Sequence, residues 1–154
     1  MQSKASFMMH AIEQANLASG RGEVPVGAVI VHNGEILARD GNRTLEYRDP
    51  TAHAEILVIR QAAELLRSER IGDCDLYVTL EPCAMCAAAI SFARIRRLYY
   101  GAGDKKSGGV EHGARFFTQP TCHHVPEVYS GIREIEAANI LKEFFREKRV
   151  DRNQ

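Results

Sequence analysis

Apolar residues along the chain follow two spacings, one typical of amphipathic helices and one typical of buried strands. Between residues 5 and 18 they recur at helical spacing, and Gly20 is placed to end that helix. Residues 24–31 form a nearly unbroken apolar run, as expected of a strand that is covered on both faces. Asn33-Gly34 suits the positive φ angles of a tight hairpin, which predicts a return strand over residues 36–38.

Helical and strand patterns then alternate through the rest of the chain. The predicted helices cover residues 83–93, residues 130–150 and a segment that ends near residue 67, and the predicted strands cover residues 76–80, 97–100 and 123–128. The apolar stripe of the last helix is predicted to comprise Ile135, Ala138, Leu141 and Phe145. Strands that alternate with helices indicate a three-layer α/β/α sandwich, in which helices cover both faces of one mixed sheet.

Composition and charge narrow the class of protein. A chain of 154 residues can bury a sizeable core, and we predict a single domain over residues 1–154. The formal net charge is zero, so any nucleic-acid surface must be a local cluster of basic residues. Four cysteines are too few for a secreted disulfide framework of this length, which favours the reducing cytoplasm. The first twenty residues carry polar and charged side chains throughout, so we expect neither a signal peptide nor a membrane span.

Two short stretches carry the candidate chemistry, His53-Ala54-Glu55 and Pro82-Cys83-Ala84-Met85-Cys86. Cys83 and Cys86 are three residues apart and therefore share one face of a helix. Together with His53 they offer two thiolates and an imidazole, which are ligands that zinc takes, and we predict one zinc ion per chain. A catalytic zinc site keeps its fourth position for water, whereas a structural site has four protein ligands. Three ligands beside a spare acid therefore indicate a hydrolytic site.

Glu55 is the predicted catalytic residue. Zinc lowers the pKa of a bound water toward neutrality, and hydrolysis by that water also requires protons on the group under attack and on the leaving group. One carboxylate that is not a ligand can transfer these protons. Residues at i and i+2 do not share a helix face, so His53 and Glu55 converge only if the chain is still entering its helix at His53. Asp49-Pro50-Thr51 is a helix-start signal just upstream, with either Asp49 or Thr51 as the cap.

The two motifs together are the signature of zinc-dependent nucleobase deaminases. Longer stretches around them resemble the tRNA-specific adenosine deaminases of the cytidine and deoxycytidylate deaminase superfamily: Glu23-Val24-Pro25-Val26-Gly27-Ala28-Val29, Asn42, Asp49-Pro50-Thr51-Ala52-His53-Ala54-Glu55 and Thr79-Leu80-Glu81-Pro82-Cys83-Ala84-Met85-Cys86. The resemblance implies a cytidine deaminase-like fold with a five-stranded sheet, zinc held at the starts of two helices, and a homodimer. It also implies that the Asn42 amide binds the purine edge and that Val24 and Ala54 line the base pocket, Ala54 with a backbone group. From the residues alone, Asn42 could equally be a turn asparagine.

The predicted function is hydrolytic deamination of adenosine to inosine in tRNA, at the wobble position of the anticodon stem-loop as the resemblance implies. One alternative keeps the zinc chemistry but acts on a free base or nucleotide, such as guanine or cytosine. Another is a non-catalytic zinc module that binds RNA, in which Cys74, Cys122 or another histidine would complete a closed structural site. A basic run is predicted to form a phosphate track leading to the zinc, with a solvated charged edge as its alternative: Arg94, Arg97, Lys105 and Lys106.

Overall fold

A five-stranded mixed sheet forms the centre of the protein, as the computed structural model of residues 2–152 shows. Its strands are β1 (Gly27–His32), β2 (Glu35–Gly41), β3 (Cys74–Leu80), β4 (Arg97–Ala102) and β5 (Glu127–Tyr129). The strand order is β2-β1-β3-β4-β5. β1 is antiparallel to β2 and β3, whereas β3, β4 and β5 run parallel to one another. The predicted mixed sheet is confirmed.

Helices cover both faces of this sheet, which confirms the predicted three-layer sandwich. They are α1 (Lys4–Gly20), α2 (Ala54–Leu66), α3 (Ala84–Ala93) and α4 (Glu134–Arg152), and a short 3₁₀ helix covers Phe116–Thr118. α1 and α4 pack on one face, and α2 and α3 pack on the other. None of the helices within residues 2–152 has the length and apolar character that a membrane span requires.

The hydrophobic core divides at the sheet because successive strand residues point to opposite faces. Along β3, Leu76 and Val78 belong to the larger cluster under α2 and α3, whereas Tyr77 belongs to the cluster under α1. Tyr77 stacks on Tyr99 of β4 with ring centroids 4.3 Å apart. The helices on both faces of the sheet therefore pack against side chains of the same central strands, β3 and β4.

Several predicted boundaries need correction. Asn33 and Gly34 have φ angles of 52° and 78°, as the hairpin prediction requires. β1 begins at Gly27 rather than at residue 24, because Pro25 has no N–H and the Val26 N–H donates to the carbonyl of Val24. The last strand is Glu127–Tyr129 rather than 123–128, since it pairs only where it lies beside the start of β4.

The predicted apolar stripe of α4 is correct at Leu141, which packs against the core, and wrong at Ile135 and Phe145, which are exposed. Ala137 and Phe144 are the buried side chains of this helix, whereas Ile135 is 77% exposed and Phe145 is 46% exposed. Spacing alone does not decide which of two adjacent stripes faces the sheet. Here Ala137 faces it, because its small side chain lies against Gly101 of β4.

Four of the five strands begin or end at the same end of the sheet. β1 starts there, and β2, β3 and β4 end there, because β1 runs antiparallel to β2 and β3 while β4 runs parallel to β3. We call this the site edge. The residues of the two predicted motifs lie at this edge, in the segments that lead into α2 and α3 and in the first turns of those helices.

Candidate active site

Two candidate zinc ligands occupy equivalent positions at the site edge, because each is the N-cap of a helix. His53 precedes α2 with φ −74° and ψ 154°, and Cys83 precedes α3 with φ −70° and ψ 176°. Both backbones are extended, and neither side chain caps its own helix. The chain is thus still entering the helix at His53, as convergence with Glu55 requires.

The predicted caps Asp49 and Thr51 are not caps. The Asp49 carboxylate accepts a hydrogen bond from the Thr51 N–H at 2.9 Å and one from the Thr51 hydroxyl at 2.7 Å. These bonds close a local turn of the kind that short polar side chains favour. The turn delivers the chain to His53, and α2 begins one residue later, at Ala54.

His53, Cys83 and Cys86 form one compact donor group, with ligand atoms all within 4.8 Å of one another. His53 Nδ1 lies 3.6 Å from Cys83 Sγ and 3.4 Å from Cys86 Sγ. A tetrahedral zinc ion, with Zn–S near 2.3 Å and Zn–N near 2.0–2.1 Å, would separate sulfur from nitrogen by about 3.5 Å. The three residues therefore fit zinc by donor type and by spacing. Among the residues that the structure describes, neither Cys74 nor Cys122 joins this group.

Hydrogen bonds within the donor group shift the pKa values of all three of its members. A hydrogen bond from the Cys86 thiol lowers the pKa of Cys83 to about 4, so Cys83 is a thiolate at neutral pH. The same hydrogen bond, together with burial, raises the pKa of Cys86. The hydrogen bond to the Cys83 sulfur raises the pKa of His53. Since a metal binds a cysteine as its thiolate, zinc binding would release the proton of Cys86.

Glu55 stands beside this group without belonging to it. It lies in the first turn of α2 and is 4% exposed, and the donor group within 4.8 Å comprises only the imidazole and the two thiols. Burial raises the pKa of the Glu55 carboxyl. A carboxyl whose pKa is raised by burial accepts a proton more readily than one in water, as a general acid–base residue must. This is the environment that a proton-transferring acid requires.

Asn42 links the end of β2 to the start of α2. Its side-chain oxygen accepts a hydrogen bond of 2.8 Å from the backbone N–H of Ala54, and both residues are buried. The oxygen therefore satisfies one of the N–H groups that a helix start leaves without an internal partner. Ala54 is fully buried and its N–H is engaged, while Val24 is partly exposed beside the start of β1. Contacts of these three residues with a base stay predictions.

The predicted phosphate track does not exist as one surface. Arg94 ends α3, at the other end of the helix from Cys83. Arg97 starts β4, beside Asp75 at the far edge of the sheet, where it pairs with Glu127 at 3.0 Å. β4 is a strand of six residues that spans about 17 Å, and it runs from that edge to the site edge.

The two lysines of the same run lie beyond the other end of β4. Lys105 and Lys106 follow the end of β4 and are exposed beside the site edge. The neighbouring residue Asp104 donates its backbone N–H to the carboxylate of Glu81, which directly precedes Pro82-Cys83. Of the four predicted basic residues, these two alone are placed near the donor group.

Two buried glutamates at the site edge were not predicted from the sequence as parts of the site. Glu23, 1% exposed, accepts hydrogen bonds from the backbone N–H groups of Leu45 and Glu46 at 3.1 and 2.9 Å. Glu81, 2% exposed, accepts bonds from a second loop, which follows β4. The available signal was an acid beside an apolar strand and one or two residues before a proline, where burial without a partner would be costly.

The fold, the donor group and the adjacent buried carboxyl define a nucleobase deaminase of the cytidine deaminase-like fold. A family model of MafB19-like deaminases matches residues 2–149, nearly the whole chain. A tRNA-specific adenosine deaminase of Agrobacterium fabrum is 64% identical over 151 residues, which cover 98% of this chain and 99% of the relative. The chain belongs to the family of tRNA-specific adenosine deaminases.

Solved structures agree with this assignment. A structure from work on A-to-I editing by tRNA:A34 deaminases at the wobble position of transfer RNA superposes with a TM-score of 0.87. It is 65% identical, and the match covers 88% of this chain and 98% of that chain. A guanine deaminase from Nitrosomonas europaea superposes with a TM-score of 0.80 at 20% identity, covering 94% of this chain and 85% of that chain. At that identity the likeness concerns the fold alone.

Proposed function

We propose that this enzyme deaminates adenosine to inosine at the wobble position of a tRNA anticodon, with Glu55 as its proton-transferring residue and zinc as its metal. The observation that carries the proposal is the compact group of one imidazole and two thiols beside a buried carboxyl that is not part of it. Family membership supplies the class of substrate, and the donor group supplies the class of reaction.

His53, Cys83 and Cys86 would hold the zinc ion. When bound, zinc supplies Lewis-acid activation of water at neutral pH. The chain's part is to present these ligands from two helix starts, where the positive ends of the helix dipoles favour thiolate over thiol. The depressed pKa of Cys83 agrees with that environment.

Glu55 moves the protons. Burial raises the pKa of its carboxyl, which makes the uptake of a proton easier than in water. The carboxylate accepts one proton from the attacking water and gives it to the purine ring nitrogen next to the carbon under attack. It then accepts the second proton of that oxygen and gives it to the amine, which leaves as ammonia while the oxygen becomes the carbonyl of inosine. The extended backbone at His53 supports this role, because it allows a ligand and a proton carrier two residues apart to face the same site.

Asn42 orients the base. Its oxygen is held by the Ala54 N–H, which leaves the Nδ2 amide as a donor toward an acceptor on the purine edge. Val24 would offer an apolar contact to the ring, and Ala54 would form the wall of the pocket beside His53. The bond between Asn42 and Ala54 fixes the amide relative to the helix that carries His53 and Glu55.

Lys105 and Lys106 are the proposed phosphate contacts. Both are exposed in the loop that follows β4, beside the residues leading to Cys83. Phosphate contacts of this kind set position and affinity without reading sequence. A neutral net charge is compatible with this role, because the two positive charges are grouped locally.

We also propose that the enzyme is a cytoplasmic homodimer. The chemistry requires free thiols, and all four cysteines are free, as a reducing compartment would keep them. Leu65 of α2 and Phe92 of α3 are exposed apolar side chains on neighbouring helices, and a second copy of the chain would cover them. Sedimentation velocity on the wild-type protein tests the dimer, and a monomer at micromolar concentration would contradict it.

The proposed reaction is tested by nucleoside analysis. Unmodified tRNA whose anticodon begins with adenosine is incubated with the purified protein and digested, and its nucleosides are quantified by mass spectrometry. We expect inosine to appear as adenosine is lost, at the wobble position when the RNA is mapped by fragment. Parallel reactions contain free guanine or cytosine, and turnover of either one without turnover of tRNA would contradict the proposal.

A further inference from the structure

Glu81 binds a whole loop through one carboxylate. Oε1 accepts from the backbone N–H of Asp104 at 2.9 Å and lies 2.6 Å from His112 Nδ1. Oε2 accepts from the N–H groups of Val110, Glu111 and His112 at 3.1, 2.9 and 3.1 Å. Burial alone would raise the pKa of Glu81, but these hydrogen bonds hold it below its ordinary value. We call residues 104–112 the anchored loop.

The anchored loop lies directly on the start of the ligand helix α3. The N–H of Gly109 donates to the carbonyl of Pro82 at 2.8 Å. A Cβ added at Gly109 would lie 2.4 Å from the backbone nitrogen of Ala84, and one at Gly108 would lie 2.5 Å from the Glu81 carboxylate. The loop can therefore approach the segment around Cys83 only because these two positions carry no side chain.

The same loop presents the exposed lysines. The Asp104 carboxylate accepts from the N–H groups of Lys106 and Ser107 at 3.1 and 2.9 Å, which orders the turn that displays Lys105 and Lys106. Glu81 thus joins two parts that the reaction needs together. One is the turn with the lysines, and the other, two residues along the chain, is the zinc ligand Cys83.

Cys83 is also held independently of Glu81. Its carbonyl accepts the N–H of Ala87 at 2.8 Å as part of α3, whose Ala87 and Ile90 side chains are buried in the core. Removal of the Glu81 carboxylate would therefore release the loop while leaving the ligand helix in place. This asymmetry separates an effect on substrate positioning from an effect on the metal.

We propose that Glu81 is a positioning residue, which holds the anchored loop in register with the zinc ligands so that Lys105 and Lys106 contact tRNA phosphates while the base is in the pocket. The proposal rests on the proposed function, since it concerns the substrate of that same site. Glu81 itself touches neither the base nor the metal group; it acts through the loop. Its removal should weaken binding of tRNA more than it slows the reaction of tRNA already bound.

Glu81→Gln tests the anchoring by hydrogen exchange. The variant keeps the size of the side chain but replaces one acceptor oxygen with an NH₂ group, which faces backbone donors. We expect faster exchange in a peptide covering residues 104–112 and unchanged exchange in a peptide covering residues 44–46, where Glu23 binds the N–H groups of Leu45 and Glu46. Unchanged exchange over residues 104–112 would overturn the proposal, and this readout does not depend on any enzymatic activity.

Steady-state kinetics test the positioning. For full-length tRNA we expect KM to rise about tenfold or more in Glu81→Gln while kcat changes by about twofold at most, because the effect falls on substrate binding. Zinc should stay at one per chain. Loss of zinc, or a fall in kcat at unchanged KM, would assign Glu81 to the metal site or to the chemistry and would overturn the proposal. A wild-type enzyme that does not deaminate tRNA would instead refute the proposed function.

Two further variants separate positioning from stability. His112→Ala removes one of the five contacts and should raise KM in the same direction by a smaller factor, which keeps the test open if Glu81→Gln folds poorly. Asp75→Asn is the matched control, because Asp75 is a buried carboxylate bound to Arg96 at the far edge of the sheet. It should lower the melting temperature without changing KM. An equal rise of KM in Asp75→Asn would show that general destabilisation explains the effect.

Discussion

Asn42 offers a test in which one side chain has two separable duties. Its oxygen accepts the Ala54 N–H at the start of α2, and its amide is proposed to donate to the base. Asn42→Asp keeps an acceptor at that position and removes the donor, whereas Asn42→Ala removes both. The pair of variants therefore separates support of the helix from recognition of the substrate.

The magnitudes follow from burial. Asn42→Ala leaves the buried Ala54 N–H without a partner, which costs about 1–3 kcal/mol. In a domain of this size each kcal/mol lowers Tm by about 2–4 °C, so we expect a fall of about 2–12 °C. Asn42→Asp keeps the bond and adds a negative charge at a helix start, which is favourable, so its Tm should stay within about 2 °C of wild type. Its kcat/KM should fall about tenfold or more, because an oxygen then faces an acceptor on the purine.

Differential scanning calorimetry and single-substrate kinetics on an anticodon stem-loop RNA measure the two effects. Zinc content of each variant is measured as a control, since neither substitution touches a ligand. Wild-type kcat/KM in Asn42→Asp would refute the role of the amide in recognition. An unchanged Tm in Asn42→Ala would refute the claim that the Asn42 oxygen stabilises the start of α2.

Two further predictions concern charge. Glutamine at Lys105 and Lys106 should weaken tRNA binding and lower the slope of log affinity against log salt by about 0.7–0.9 for each phosphate that is no longer neutralised. Arg97→Gln is the control and should leave this slope unchanged. An equal change of slope in both variants would contradict the assignment of phosphate contacts to the two lysines alone. The pKa of Glu23 lies below its ordinary value because burial, which raises it, is outweighed by hydrogen bonds from the loop that contains Leu45 and Glu46. The Glu23 carboxylate therefore stabilises the folded state above about pH 4.3, and this stabilisation is lost as pH falls through the pKa of Glu23 in the folded state. The Tm difference between wild type and Glu23→Gln should therefore be largest near neutral pH and shrink below about pH 4. A difference that grows on acidification would contradict this sign.

Much of the site could be predicted because its parts are local in sequence. Pro82 and the Cys-x-x-Cys spacing mark the start of α3, and the structure begins that helix at Ala84 with Cys83 as N-cap. The condition that the chain still be entering its helix at His53 also followed from the i, i+2 spacing. Both inferences depended on backbone geometry within a few residues, where sequence patterns are most informative.

The positions of the four basic residues in the fold could not be predicted from sequence, because a single short strand can carry the chain from one end of the sheet to the other within eight residues. Arg97 and Lys105 are close in sequence, yet β4 carries the chain from the far edge of the sheet to the site edge between them. The role of Glu81 was missed for a related reason. Its partners are the N–H groups of a loop more than twenty residues later, and no local pattern indicates such a contact.

Proton transfer by Glu55, beside a zinc ion that it does not bind, is the step on which the proposed reaction depends. Glu55→Gln tests it most directly, with zinc content measured by atomic spectroscopy and inosine measured by nucleoside mass spectrometry on the same preparation. Glutamine preserves the shape of the side chain and cannot carry the proton, so we expect one zinc per chain and a fall in turnover of at least about 10²-fold. A metal-free preparation would make Glu55 a ligand, and a zinc-loaded variant with wild-type inosine formation would place the proton transfer elsewhere.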